Sequence, residues 1–350
     1  MVSRYQVLED VLEEVRGRKA LVATALVLAP TLSFLLSLLV GRYQISPQIV
    51  FSVLISKILP FHYSVPKQVE IVIIQVRLPR AIAAALVGAA LALSGTSFQG
   101  LFRNPLVSSQ ILGVASGAGF GAALALLLSG DPVIVQVSAF GFGIVAVAIS
   151  YALSRTYRET SLLTLVLAGI VVGALFSALI SLIKYVADPY EKLPSITFWL
   201  MGSLSAVSFR ELTWNFIPIV VPCIILVLAR WRLNVLSLGE EEAKALGIDV
   251  ERMRMLVISC CTLMTAAAVS IAGMVGWVGL VIPHIGRMLV GPDHKVLVPA
   301  SIAIGAAYLL IVDSMVRIVS TFEMPLGVLT AIIGAPFFAY LLRKRTVSWR

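Results

Sequence analysis

The chain has 350 residues, is 59% hydrophobic and only 13% charged, and has a mean hydropathy of +0.99. That composition excludes a water-soluble globular domain, and the length exceeds what one or two anchors require, because a spanning helix takes roughly 20 mostly apolar residues. The net charge of +9 reflects basic loops on one membrane face rather than affinity for nucleic acid, so no nucleic-acid partner is expected.

Residues 1–19 form a charged, weakly amphipathic lead-in. The first apolar run, 20–40, is too long for a signal-peptide core and lacks a small-residue cleavage site, so it reads as a retained span. The segment 44–75 is mixed; its apolar patch IVFSVLISKIL is too short to cross. Further spans are expected at 79–101, 110–129, 133–153, 161–186, 213–230, 252–271, 273–290, 296–314 and 326–343. A short apolar piece, 196–204, reads as re-entrant or interfacial, and 344–350 as a tail. The fold class is therefore all-α: a polytopic bundle of about ten spans in one domain, 20–343, because backbone facing lipid must satisfy its own hydrogen bonds. The apolar runs are continuous rather than alternating, which disfavours a barrel.

Charge sets the orientation. With ten spans and the N-terminus inside, 18 of the 27 Lys and Arg residues fall on the inner side, so both termini are expected in the cytoplasm. Three arginines oppose the trend: Arg77 and Arg80 in RLPR, and Arg317 after the ninth span. Two readings stand for them, interfacial snorkelling or a basic outer rim that grips carboxylates of an acidic partner. Asp313 and Arg317 are four apart, so an intrahelical pair is a further expectation.

LGVASGAGFG has no strand–helix–strand context for a nucleotide fingerprint. Gly113, Gly117 and Gly121 recur every four residues and read as a close-packing face, as do Gly88 and Ala92. Cys223, Cys260 and Cys261 have neither disulfide-framework nor metal-ligand spacing. No GxxxxGK[ST] loop, HExxH or intramembrane carboxylate pair occurs, so the chain reads as a transport subunit without catalytic residues, bound metal or cofactor, not as an enzyme. His284, in PHIGR, reads as a structural hydrogen-bonding residue rather than a ligand or proton relay, and GPDHK as a turn. The span centres are almost free of ionisable groups, which disfavours the competing class, a stand-alone ion-coupled carrier or channel.

One stretch breaks the apolar pattern. Eight of the fifteen residues from Glu240 to Arg254 are charged. Ser237 or Gly239 is placed to cap a short helix, Glu240, Glu241 and Glu242 lie in its first turn, Glu240 and Lys244 are an i,i+4 pair, and Gly247 is placed to end it. With Leu238, Ala243, Leu246 and Ile248 as an apolar face, this island reads as a cytoplasmic docking knob.

RLPR, GAALALSGTSFQGLFRNPLVSSQILGVASGAGFG, LSLGEEEAKALGI, VGLVIPHIGRMLVGPDH and MPLGVLTAIIGAPFFAYLL together resemble the permease subunits of ABC importers for iron–siderophore complexes, cobalamin and haem, the type II importers. The resemblance runs from about Arg77 to Arg343. It implies a homodimer in the plasma or inner membrane, with two cytoplasmic ATPase subunits that hold ATP and Mg, and an extracytoplasmic binding protein. It implies that coupling helices, about 236–248, carry Leu238, Gly239, Glu240, Glu241, Ala243, Leu246, Gly247 and Ile248; that Arg77, Arg80 and Arg317 meet the binding protein; and that Thr160, Ser161 and Thr164 lie at the cytoplasmic gate. The cargo it implies is a metal chelate, iron(III)–siderophore before cobalamin or haem.

Overall fold

The computed structural model describes residues 4–57, 59, 65–156, 159–319 and 324–343; the expected tail, 344–350, lies outside them. The chain is a polytopic helical bundle. It begins with α1 (Arg4–Leu39), the short α2 (Pro47–Ser56) and α3 (Lys67–Ile71), a π-helical turn (Val72–Arg77) and α4 (Leu78–Phe102). Next come α5 (Val114–Leu128), α6 (Pro132–Ser154) and α7 (Leu162–Val186), then the short α8 (Lys192–Met201) and α9 (Phe209–Leu228). The polar island follows as α10 (Arg230–Leu238) and α11 (Glu240–Ala245), and the bundle closes with α12 (Val250–Ala272), α13 (Val278–Val290), α14 (His294–Val319) and α15 (Leu326–Arg343). A two-residue antiparallel pair, β1 (Arg155–Thr156) with β2 (Glu159–Thr160), turns the chain between α6 and α7.

A helix occupies each of the ten expected spans. Among the described residues seven are long and apolar enough to cross a membrane by themselves, while α5, α13 and α15 are shorter. α13, at 13 residues, is only ~20 Å long; the loop before it, 273–277, completes that side of the bundle. Among the boundaries that moved, two have a plain physical reason. The lead-in 4–19 is continuous with the first span in α1, because it holds no proline and its single glycine, Gly17, weakens a helix without ending it. α5 starts at Val114 rather than near 110, because Gly113 sits at φ +83° and ends a run of turns.

The interior is built on α4, whose residues from Gly95 to Leu101 are all buried. Lipid offers no hydrophobic drive between helices, so they associate by close packing of small residues. A Cβ on Gly88 would overlap the carbonyl oxygen of Gly305, and a Cβ on Gly305 would strike Ala92 and the Gly88 carbonyl, so α4 and α14 touch backbone to backbone. Gly95 meets Gly279 of α13 in the same way. Gly117 and Gly121 lie against Phe142 and Ser138 of α6. Gly113 does not share their face: it stands before the helix in a left-handed conformation, near Gly169 of α7. The outer helices carry Leu167, Ile170 and Leu175 on α7 and Ile217, Ile224 and Leu228 on α9 exposed, as lipid-facing surfaces require. Cys260 and Cys261 are buried, Cys223 is half-buried, and all three are free thiols.

Candidate functional site

The polar island folds into a bent arm on one end of the bundle. α10 packs along α4 and α14, and α11 follows after Gly239. No side chain caps α11; a Cβ on Gly239 would displace the flexible Glu242 carboxylate, and the backbone there lies at φ +157°. α11 ends in a Schellman turn: Gly247 lies at φ +79°, its N–H donates to the Lys244 carbonyl at 2.9 Å, and the Ile248 N–H donates to the Ala243 carbonyl at 3.0 Å. Asp249 then caps α12 by accepting from the Arg252 N–H at 3.1 Å.

The apolar face of the arm divides in two. Ala243 is 0% exposed and belongs to the core, whereas Leu238 and Leu246 are 62% and 63% exposed. The exposed apolar face of the arm is thus narrower than the sequence implies, with Ala243 turned into the core. The i,i+4 pair of Glu240 and Lys244 gives way to a longer link: Glu240 bonds to the Arg254 guanidinium, which also takes Glu251 at 3.0 Å. Arg254 is buried, so α11 is clamped onto the first turns of α12 by one interior cation. The Glu240–Arg254 link spans fourteen residues, beyond any helical period, so no spacing in the sequence marks it.

A second link ties α10 to α14. Asn234 donates to the Asp293 carboxylate at 2.5 Å, and its carbonyl oxygen accepts from the His294 N–H at 2.7 Å and lies 3.0 Å from His294 Nδ1. The Asn234 amide and the Lys295 N–H hold the Asp293 carboxyl below its usual range. The His294 ring presses on α4: a Cβ on Gly100 would come within 2.6 Å of Nε2. The arm is thus tied to α12 through Arg254, and to α14 and α4 through Asn234 and His294. GPDHK is indeed a turn, but its histidine begins α14. His284 is buried, and neither ring nitrogen finds a hydrogen-bond partner among the described residues, so the expected structural hydrogen bond is absent there.

Of the expected gate, Ser161 is exposed at the N-cap of α7, Thr164 is half-buried in its first turn, and Thr160 lies in β2 with its side chain outside the described residues. They begin α7 at the same end of the bundle as the arm.

At the opposite end, Arg77, Arg80 and Arg317 are 3%, 5% and 7% exposed, so they do not form an open basic rim. α1 ends here, and its last carbonyls lack helical partners. Arg77 donates to the Leu38 and Leu39 carbonyls at 2.8 and 3.0 Å and to the Tyr43 carbonyl. Arg317 donates to the Ser37 and Val40 carbonyls at 2.9 and 2.8 Å and to Ser37 Oγ at 2.6 Å. Two guanidinium groups thus cap one helix C-terminus, where its dipole favours cations. Asp313, fully buried, joins the rest: Arg80 Nε lies 2.9 Å from its Oδ1, and Arg317 lies 3.1 Å from Oδ2, giving the intrahelical pair. The snorkelling and rim readings both yield to this inward network across α1, α4 and α14, in which Asp313 pairs with Arg317 as its spacing predicts and with Arg80 across helices, which its spacing does not predict. Among the described residues no group of His, Cys, Asp and Glu is arranged to hold a metal ion.

Comparison with known proteins follows this geometry. The model of the FecCD transport family matches residues 27–344. The chain is 44% identical to the molybdate import system permease protein of Haemophilus influenzae, covering 91% of this chain and 94% of that protein. It is 41% identical to the cobalamin import system permease protein of Halobacterium salinarum, covering 82% and 78%, and 37% identical to the hemin transport system permease protein of Yersinia pestis, covering 78% and 83%. Its fold superposes with a TM-score of 0.82 on an inward-facing metal-chelate type ABC transporter, at 42% identity, covering 92% of this chain and 98% of that one.

Proposed function

The chain belongs to the FecCD transport family and is an ABC importer permease, and we propose that it works as a homodimer that two separate ATPase subunits drive and an extracytoplasmic binding protein loads. The observation that carries this reading is the clamped arm: it offers two exposed leucines, Leu238 at the end of α10 and Leu246 just after α11, while Arg254 fixes α11 to α12 and Asn234 fixes α10 to α14. An ATPase pair closing on ATP pushes the arm, and the rigid links tilt α12, α14 and α4 as bodies. Glu240, Glu241 and the Gly239 and Gly247 corners set the arm's shape, with Ile248 packed beneath. The start of α7, at Thr160, Ser161 and Thr164, closes the inner end of the path. Both termini and the arm are cytoplasmic in this reading, which the distribution of Lys and Arg supports.

The docking role of the outer arginines takes a modified form. Arg77, Arg80 and Arg317 fix the ends of α1, α4 and α14 into the corner that the binding protein meets, rather than supplying exposed charge.

The cargo is a metal-bearing solute. An iron(III)–siderophore is the expectation from sequence, and molybdate is the second reading, which the identity to the Haemophilus influenzae protein favours. Metal analysis of the binding protein purified with its ligand separates iron, cobalt and molybdenum. For the arm, a Leu246→Cys variant is cross-linked in membranes holding the ATPase subunit. A product joining the two supports the assignment; none, with normal assembly, removes α11 from the interface.

A further inference from the structure

α9 presents two opposite faces. Leu212, Asn215, Ile219, Pro222 and Leu226 are buried against the bundle. Trp214, Ile217, Val221, Ile224 and Leu228 form an exposed ridge, at spacings of three and four residues. One turn beyond, where α9 gives way to α10, Trp231 is 47% exposed. The ridge is therefore aliphatic between two exposed tryptophans. At 1.5 Å per residue Trp214 and Trp231 stand at most ~25 Å apart, close to the ~30 Å hydrocarbon core of a bilayer. Tryptophan favours both membrane–water interfaces, where its ring meets lipid and its N–H meets water. This spacing identifies the ridge as lipid-facing and puts Trp231 at headgroup depth.

The end of the ridge nearest the arm is strongly basic. Arg230 and Arg232 flank Trp231, and the Arg232 guanidinium lies 5.3 Å from the centre of the Trp231 ring. Arg232 is exposed and Arg230 half-buried. No Asp or Glu occurs between Glu211 and Glu240. Among the described residues neither arginine pairs with a carboxylate, in contrast to Arg80, Arg254 and Arg317. Two guanidinium forks at headgroup depth match phosphate oxygens, and basic clusters beside a span attract anionic lipid.

We propose that Arg230, Trp231 and Arg232 bind the phosphate of one anionic phospholipid, whose acyl chains lie along Leu228 and Ile224. The lipid belongs to the leaflet on the arm's side of the membrane. That this is the inner leaflet rests on the orientation proposed above, whereas the contact itself does not. Asn234, which ties α10 to α14, follows Trp231 by one turn, so the lipid is held at the root of the arm.

The full chain is delipidated in mild detergent, and phosphatidylglycerol or phosphatidylcholine is titrated back, with bound lipid read by native mass spectrometry. One phosphatidylglycerol per chain is expected, bound about tenfold more tightly than phosphatidylcholine and released as salt rises. Arg230→Gln or Arg232→Gln should weaken it about fivefold, and the two together about thirtyfold. The thermal transition should stay unchanged, since neither guanidinium holds another part of the chain. Lys244→Gln, which removes an equal charge from α11, should leave lipid binding as it is. Equal affinity of the wild type for both lipids overturns the proposal, as does undiminished phosphatidylglycerol binding by the double variant. If that variant keeps the lipid but fails to co-purify with the ATPase subunit, the arginines serve that subunit instead. Glycerol 3-phosphate binding as tightly as phosphatidylglycerol would make this a free-anion site and overturn the lipid assignment equally.

Discussion

Replacing Arg254 with Met tests whether the arm is clamped to the bundle. The side chain is buried, so methionine keeps its volume and flexibility while removing the cation. Glu240 and Glu251 both bond to it, yet their own side chains are about half exposed. The carboxylates left behind return to water, so the large penalty of an orphaned buried charge does not apply. What is lost is two solvent-screened ion pairs, ~0.5 kcal/mol each and about 1 kcal/mol together. That raises the open population of α11 about fivefold. Hydrogen exchange on the chain in nanodiscs should therefore speed up about fivefold across 240–248, with α4 and α14 unchanged. In the assembled importer, ATP consumed per cargo molecule should rise, because part of the stroke moves a loose arm. Unchanged exchange across 240–248 would refute the clamp, as would an increase spread evenly through the bundle.

Other substitutions separate parts of the structure. Leu246→Glu is expected to leave folding intact and abolish ATPase assembly, measured by co-purification, whereas Ala243→Glu should lower the yield of folded protein, since a charge there enters the core. Asp313→Ala leaves Arg80 and Arg317 side by side in the interior and should destabilise the protein by about 3–5 kcal/mol, read as an earlier thermal transition in detergent. The Asn234–Asp293 link has a simple pH signature. The folded carboxyl has a lowered pKa, so its contribution is present above the unfolded value, about 3.9, and disappears as pH falls through the lower folded one. Exchange of α10 amides, corrected for intrinsic rates, should stay flat from pH 8 to 5 and rise only below about pH 4.

The helices were legible because hydrophobic length decides where a chain crosses a membrane, and the runs here are separated by charge or glycine. The island's position between α9 and α12 followed from the same count, and Gly247 was readable as a cap because only a left-handed residue ends that helix so tightly. The direction of side chains was not legible. Charge bias assigned Arg77, Arg80 and Arg317 to a side of the membrane but not to the interior, where α1's open carbonyls hold Arg77 and Arg317 and the Asp313 carboxylate holds Arg80. The four-residue glycine spacing grouped Gly113 with Gly117 and Gly121, although a turn separates it from their helix. Asn234, Arg254 and His294 gain their roles from contacts across helices, which no local pattern records.

The proposed coupling makes transport depend on separate ATPase subunits that drive the arm. Its most direct test is uptake into proteoliposomes of the purified chain, alone under proton or sodium gradients and then with its ATPase and loaded binding protein. Transport that needs ATP and all three components is the predicted result. Gradient-driven uptake by the chain alone would contradict it.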